Sequence, residues 1–182
     1  MALLPFALTT MIKNIFFDID ETLIHSSYHK PGFRNDYLKL TFVEGRDLYT
    51  LVRPCADKII QYAKNLVGFE NVYILTTATR EYAEQVNTGA GWNFDVTSIF
   101  TREDLRDATT QNGITIPHPT LAHPNNVIID NLPKRYNSNK IAYIGISVNR
   151  YFHVDDYYGA DDEDLEQFFY EDVVEFLNNT NL

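Results

Sequence analysis

The sequence predicts an α/β fold in one layered domain with a mostly parallel sheet, and three observations predict it. Short, apolar, branched and aromatic runs of buried-strand type recur along the chain, as in "IKNIFFDI", "NVYILTT" and "NVIID". Stretches with apolar residues at helical spacing alternate with them. At 182 residues and 45% apolar content the chain suffices for one substantial core, which excludes a disordered protein.

The elements follow in order. Residues 12–19 form the first strand, entered after "MALLPFALTT", which is apolar but too short to span a bilayer and has no basic leader region. Residues 1–10 are therefore expected to be an extension, and 11–182 a single domain. "DYLKLTFVEGRDLYTLV" alternates on either side of Glu44-Gly45-Arg46, so residues 36–53 read as a β-hairpin. Pro54 opens a helix carrying Ile59, Ile60, Ala63, Leu66 and Val67 on one face, and Gly68 closes it. "NVYILTT" is the next strand, followed by a helix bearing Tyr82, Ala83 and Val86. "DVTSIF" reads as a strand, and "TREDL" as a helix start with Thr101 as cap and Asp104 three residues on. Residues 108–125, rich in Pro, Thr and Asn, read as a loop or insertion. "NVIID" and "KIAYIGI" are two more strands. A last helix, from about Asp162, is expected to bury Leu165, Phe168, Phe169, Val173, Phe176 and Leu177.

Charge is unevenly spread. The net charge is −10, yet the last 28 residues hold ten acids and no Lys or Arg, so the rest of the chain sums to zero. No basic stripe exists to hold a nucleic-acid duplex. The single cysteine, Cys55, excludes a disulfide framework and suits a reducing, cytoplasmic or other intracellular setting. It reads as a packing residue, since nothing places a base beside it. His118 and His123, in "HPTLAHP", read as loop histidines, and "GAGWNF" lacks the strand–helix context of a nucleotide loop.

"FFDIDETL", residues 16–23, raises the functional question. Asp18 and Asp20 lie where an apolar strand ends, and their charges repel. Either they are solvated turn acids, or a cation relieves the repulsion and the site does chemistry. In parallel sheets, sites form outside the carboxyl ends of strands. Asp18, Thr76 and Asp130 all sit at such ends, and neighbouring strands would bring them to one crevice. Three carboxylates gathered there call for compensation, which a hard divalent cation held by oxygens supplies. Mg²⁺ suits one or two carboxylates, waters and phosphate oxygens. One Asp could then attack phosphorus while a second moves the proton of the leaving oxygen. Thr76 could donate to a phosphoryl oxygen.

These stretches resemble the motifs of the haloacid dehalogenase superfamily. "FFDIDETL" is similar to its Asp-x-Asp-x-Thr signature, "VYILTT" to its second motif and "NVIIDN" to its fourth. Asp-x-Asp-Glu-Thr-Leu, the closing Asp-Asn and Arg53-Pro54 after a hairpin resemble one branch in particular. That branch is the FCP/SCP-type, NLI-interacting-factor-like phosphatases of the RNA polymerase II C-terminal domain, and the resemblance runs over about residues 12–178. It implies a Rossmann-like core with a small hairpin for a cap. It also implies Mg²⁺-dependent hydrolysis of a phosphomonoester through an aspartyl-phosphate, with a phosphorylated substrate as partner.

By that resemblance Asp18 is the nucleophile and Asp20 the general acid/base, with the Asp20 carbonyl on the metal. Thr22 shapes the loop, and Thr22, Thr77 and Arg102 serve the substrate. Thr76 holds the phosphoryl group. Asp18, Asp20, Asp130 and Asn131 form the metal set, Asp130 supporting the metal or the base of the third motif. One departure stands out. The family's third-motif lysine falls in "ITIPHPTLAHP", which has none, leaving Arg102, Arg106, Lys134 and Arg135 as candidates. Lys134, four residues beyond Asp130, is the expected substitute. Two other functions stay open: a phosphatase for nucleotides or small metabolites, and a binding module with weakened catalysis.

Overall fold

A computed structural model of the chain describes residues 11–32, 35–41, 45–107, 110–111, 114–115, 123–133, 150–159 and 162–181. Residues 1–10, Lys134, Arg135, His118 and the stretch read as the strand "KIAYIGI" lie outside the described residues, as does the Arg106 side chain.

Five parallel strands form the main sheet: β1 (Asn14–Phe17), β5 (Val72–Leu75), β6 (Ile99–Phe100), β9 (Asn126–Asp130) and β10 (Tyr151–His153). Their order is β10-β9-β1-β5-β6, so β1 lies between the two strands that carry Thr76 and Asp130 at their ends. Alternation along the strands sends Ile15, Phe17, Val127, Ile129, Val72 and Ile74 into the larger core. Phe16, Leu75, Phe100 and Ile128 pack on the opposite face. Both faces are buried, as apolar parallel strands require.

The larger core is closed by α1 (Ala56–Val67), α2 (Arg80–Ala90) and the last helix, α4 (Glu163–Thr180). The first of these begins two residues past Pro54, with Cys55 at its N-cap position. In α2 the Thr79 side chain accepts from the Tyr82 amide, and Gly91 ends the helix in the left-handed region at φ 72°. That conformation suits glycine, which has no Cβ to clash. Between sheet and loop, α3 (Arg102–Asp107) starts with half of the cap expected at Thr101, whose amide donates to Asp104 Oδ2 at 2.7 Å.

A second, antiparallel sheet sits beside the main one, in the order β2-β4-β3, built from β2 (Ile24–Ser27), β3 (Leu38–Thr41) and β4 (Asp47–Val52). The hairpin at 36–53 supplies two of its strands. The third, β2, continues directly from the Asp18–Leu23 turn, so this small sheet is tied to the candidate site. In the stretch read as a loop, β7 (Thr110–Gln111) and β8 (Ile114–Thr115) pair antiparallel.

Two expectations need correction, and one strand goes beyond them. "DVTSIF" is a strand only at Ile99–Phe100, because Asp95 accepts from the Thr97 amide and winds Val96–Ser98 into a 3₁₀ turn. The strand β10 was not foreseen from "YFH". In α4, Leu165 and Phe168 are 61% and 62% exposed rather than buried. Phe169, Val173 and Leu177 are buried as expected, and Glu166 joins them on the inward face. Their spacing of three and four residues is that of one helical stripe, and an apolar pattern cannot show that a charged residue, Glu166, belongs to it.

Candidate active site

Strand register builds the site. Phe17 of β1 pairs with Ile74 of β5 and Ile129 of β9, so Asp18, Leu75 and Asp130 form one row and Thr76 lies a residue beyond. The Asp18 amide donates to the Ile129 carbonyl at 3.0 Å, locking that row. Asp18, Thr76, Asp130 and Asn131 are all buried, at 5%, 1%, 0% and 7% exposure. The strand ends thus bring together the residues expected to meet. Lys134 lies outside the described residues.

Beyond Asp18 the chain turns sharply. The Ile19 carbonyl accepts from the amides of Thr22, Leu23 and Ile24, and Glu21 takes φ 57°. Asp20 sits in this turn, half-buried. Thr22 points inward and is fully buried, its Oγ1 accepting from the Asn131 amide at 3.0 Å and donating to Asn131 Oδ1 at 3.2 Å. Its hydroxyl latches the first loop to the loop after β9, which fits the loop-shaping part of its expected role better than substrate contact. The Thr76 hydroxyl accepts from the Ala78 amide at 3.0 Å, which leaves its proton to donate. Thr77 is exposed, and its carbonyl accepts from Arg102 Nε at 2.8 Å. Arg102 is thereby anchored on the loop after β5 with an exposed side chain.

Asn131 is oriented by a residue not foreseen. Its Nδ2 donates to Asp156 Oδ1 at 2.7 Å, and Asp156 Oδ2 accepts from the Tyr158 hydroxyl at 2.6 Å. An ionised carboxylate only accepts, so the amide nitrogen must face Asp156 and the oxygen must face the Thr22 loop. The Asn131 bond, and then the Tyr158 bond, hold the Asp156 carboxyl below its usual range. Asp156 lies in the acidic tail, where the reading by charge treated every acid alike.

Tyr82 is a second residue that sequence reasoning missed, having been read only as part of an apolar helix face. Its hydroxyl donates to Asp20 Oδ1. Since a phenol has one proton, Ser26 must donate to the Tyr82 oxygen (2.9 Å) and Thr50 to Ser26 (2.7 Å). A chain of hydroxyls therefore runs from the small sheet to Asp20. Burial, and then the Asp20 charge, push the Tyr82 phenol up, so it stays a donor. Nearby, burial raises the Glu21 carboxyl despite its pairing with His25 Nδ1 at 3.0 Å.

A third unforeseen group supports the turn from below. Buried Arg53 donates from Nη1 to the Thr22 carbonyl at 2.9 Å and from Nε to Glu166 Oε1 at 3.0 Å. Cys55 Sγ donates to Glu166 Oε2 at 2.9 Å. Burial, and then that partner, push the thiol up, in keeping with a packing role.

Whether a metal ion fits depends on the donors. The Asp18 carboxylate, the Asp20 carbonyl and the Asn131 amide oxygen are all hard oxygens, and the Asn131 orientation is fixed by Asp156. Among the described residues no three His, Cys, Asp or Glu side chains gather into a metal cage. A sparse oxygen set of this kind fits Mg²⁺, which keeps waters and takes substrate oxygens.

A family model described as NLI interacting factor-like phosphatase matches residues 13–180. The chain belongs to this family. Its fold is similar to that in "The Structure of Fcp1, an essential RNA polymerase II CTD phosphatase", with a TM-score of 0.56 and 15% identity, covering 94% of this chain and 51% of that one. It is also similar to a fission yeast Fcp1 variant bound to beryllium fluoride, with a TM-score of 0.51 and 17% identity, covering 93% of this chain and 52% of that one. At such identities the likeness is one of fold, and the chain spans about half the length of these structures. No curated protein matches the sequence. Among the described residues no helix is long and apolar enough to cross a membrane.

Proposed function

We propose that the chain is a Mg²⁺-dependent phosphomonoester phosphatase acting on a phosphoprotein through an aspartyl-phosphate at Asp18. The observation that carries this reading is the set of neighbouring strand ends, Asp18 in row with Asp130 and Thr76 one residue beyond that row on the other side, in a member of a phosphatase family. Asp18, Asp130, Asn131 and the Asp20 carbonyl would hold the cation, which neutralises phosphate charge that would repel Asp18.

An Asp18 oxygen attacks phosphorus in line with the leaving oxygen. The bond to that oxygen breaks as Asp20 transfers its proton there. Ionised Asp20 then takes a proton from water, whose oxygen attacks the phosphorus of the acyl phosphate. Phosphate leaves, and Asp18 and protonated Asp20 are restored. Tyr82 donates to Oδ1 of Asp20 and orients the carboxyl for the proton transfer. The Thr76 hydroxyl donates to a phosphoryl oxygen. Arg102 and Lys134 are the cations offered to the remaining phosphoryl charge, in place of the missing third-motif lysine. The small antiparallel sheet is the small cap the resemblance implies, and a small cap suits a protein chain better than a buried metabolite.

Hydrolysis of an aryl phosphate with and without Mg²⁺, for the parent and Asp18→Asn, tests the reading. Metal-dependent turnover lost in the variant is expected, whereas turnover that survives overturns the assigned nucleophile. A panel of phosphopeptides, nucleotides and sugar phosphates decides the substrate class, with phosphopeptides expected to turn over fastest.

A further inference from the structure

A cavity of about 380 Å³ lies between the segment after β10 and the first half of α4. Its floor is apolar, formed by Val154, Tyr157 and Phe169, all buried. Its edge carries Leu165, Phe168 and Tyr158, exposed at 61%, 62% and 65%. Leu165, Phe168 and Asp172 fall at positions i, i+3 and i+7, along one face of the helix. Burying either apolar side chain is favourable, and the intramolecular fold leaves both in water. Exposed apolar side chains grouped at the lip of an apolar hollow mark a surface that takes a partner.

The surrounding charge says what kind. Asp155, Asp156, Asp162 and Asp172 border the cavity, and residues 155–182 contain ten acids and no Lys or Arg. The Arg53 guanidinium at its base is engaged by Glu166 and the Thr22 carbonyl. A second copy of the chain, or a nucleic acid, would bring like charge to this surface. A basic segment would be drawn to it.

The cavity also adjoins the candidate active site. Asp156 and Tyr158 belong to its wall, and the same Asp156 carboxylate holds Asn131. A chain with its phosphate at Asp18 and leaving past Asn131 therefore runs toward this hollow. We infer that the cavity is a substrate subsite for a peptide segment with an apolar side chain flanked by Lys or Arg, close in sequence to the phosphorylated residue. The apolar side chain fills the space over Phe169 between Leu165 and Phe168, and the flanking cations meet Asp155, Asp162 and Asp172. This rests on the phosphatase reading for its place in turnover, but not for the binding itself.

The test compares two phosphopeptides that share a central Leu, one flanked by Arg and one by Glu, on the parent and on Leu165→Ser/Phe168→Ser. Both substitutions fall on exposed side chains, so the fold and aryl phosphate turnover are expected to stay within about twofold. The Arg-flanked peptide should have about tenfold higher kcat/KM through a lower KM. That advantage should vanish in the double variant and shrink with added salt. Equal kcat/KM for the two peptides, or a preference that survives the double variant, overturns the inference. Fluorescence polarisation with the unphosphorylated Arg-flanked peptide separates it from the phosphatase reading. Binding to the parent that is lost in the double variant upholds the subsite even where no phosphate is released, and absence of binding overturns it.

Discussion

Arg53→Met is the substitution whose consequences the structure defines most fully. The guanidinium donates to Glu166 at 3.0 and 3.2 Å and to the Thr22 carbonyl at 2.9 Å. Its carbon also sits 3.5 Å from the Phe169 ring centroid and 5.2 Å from that of Tyr157. Methionine keeps some of the packing and none of the charge, leaving the Glu166 carboxyl without its cationic partner at 7% exposure beside the Cys55 thiol. Breaking a buried pair by removing one partner costs about 3–5 kcal/mol. Natural domains have only about 5–15 kcal/mol in all. For a chain of this size that lowers the Tm by roughly 6–20 °C. Urea unfolding followed by fluorescence of Trp92, the single tryptophan and a buried one, measures it. The double variant Arg53→Met/Glu166→Met removes both charges and should return to within about 1–2 kcal/mol of the parent. Its aryl phosphate turnover should nonetheless stay low, because the Thr22 carbonyl has lost the donor that holds the Asp18–Leu23 turn. A cost below about 1 kcal/mol for the single variant, or full activity in the double, refutes the clamp.

Other substitutions probe the site itself. Tyr82→Phe removes a charge-assisted bond worth about 1.5–3 kcal/mol to Asp20, so turnover of alkyl phosphates should fall about 10- to 100-fold. Aryl phosphates, whose leaving groups need less help from a proton, should fall much less; equal losses would contradict a role for Tyr82 through Asp20. Asp156→Ala frees the Asn131 amide to turn, and Mg²⁺ titrations of thermal stability and activity should both show affinity about 10- to 100-fold weaker. For Cys55 the folded thiol is pushed above its usual value by burial and by Glu166. Its contribution to stability is therefore complete below the unfolded value, about 8.5, and is lost as pH rises beyond it. Alkaline unfolding of Cys55→Ala should lack that part of the decline, and a thiol reagent at pH 8 should label the parent only on unfolding.

Much of the fold was legible because its signals are local. Apolar runs gave β1, β5 and β9, and Thr101-Arg102-Glu103-Asp104 announced its helix through a cap. The site was legible because Asp18, Thr76 and Asp130 end strands that turn out to be neighbours, and only the sheet order remained for the structure to supply. What stayed hidden depends on tertiary partners. Glu166 reads as a surface acid until Arg53, 113 residues away, reaches it. With Glu166 on the inward face, Leu165 and Phe168 lie outside it. Asp156 is one acid among ten in its tail until Asn131 meets it. Tyr82 shows an apolar ring to any periodicity argument, while in the fold its hydroxyl donates to Asp20.

The central claim is that Asp18 carries the phosphoryl group during turnover. Mixing the protein with a labelled aryl phosphate and Mg²⁺, quenching in acid and mapping the label by mass spectrometry tests it directly. Label on the peptide that contains Asp18, discharged by hydroxylamine and missing in Asp18→Asn, is the predicted result. Steady phosphate release with that peptide unmodified, or release that continues in Asp18→Asn, would contradict it.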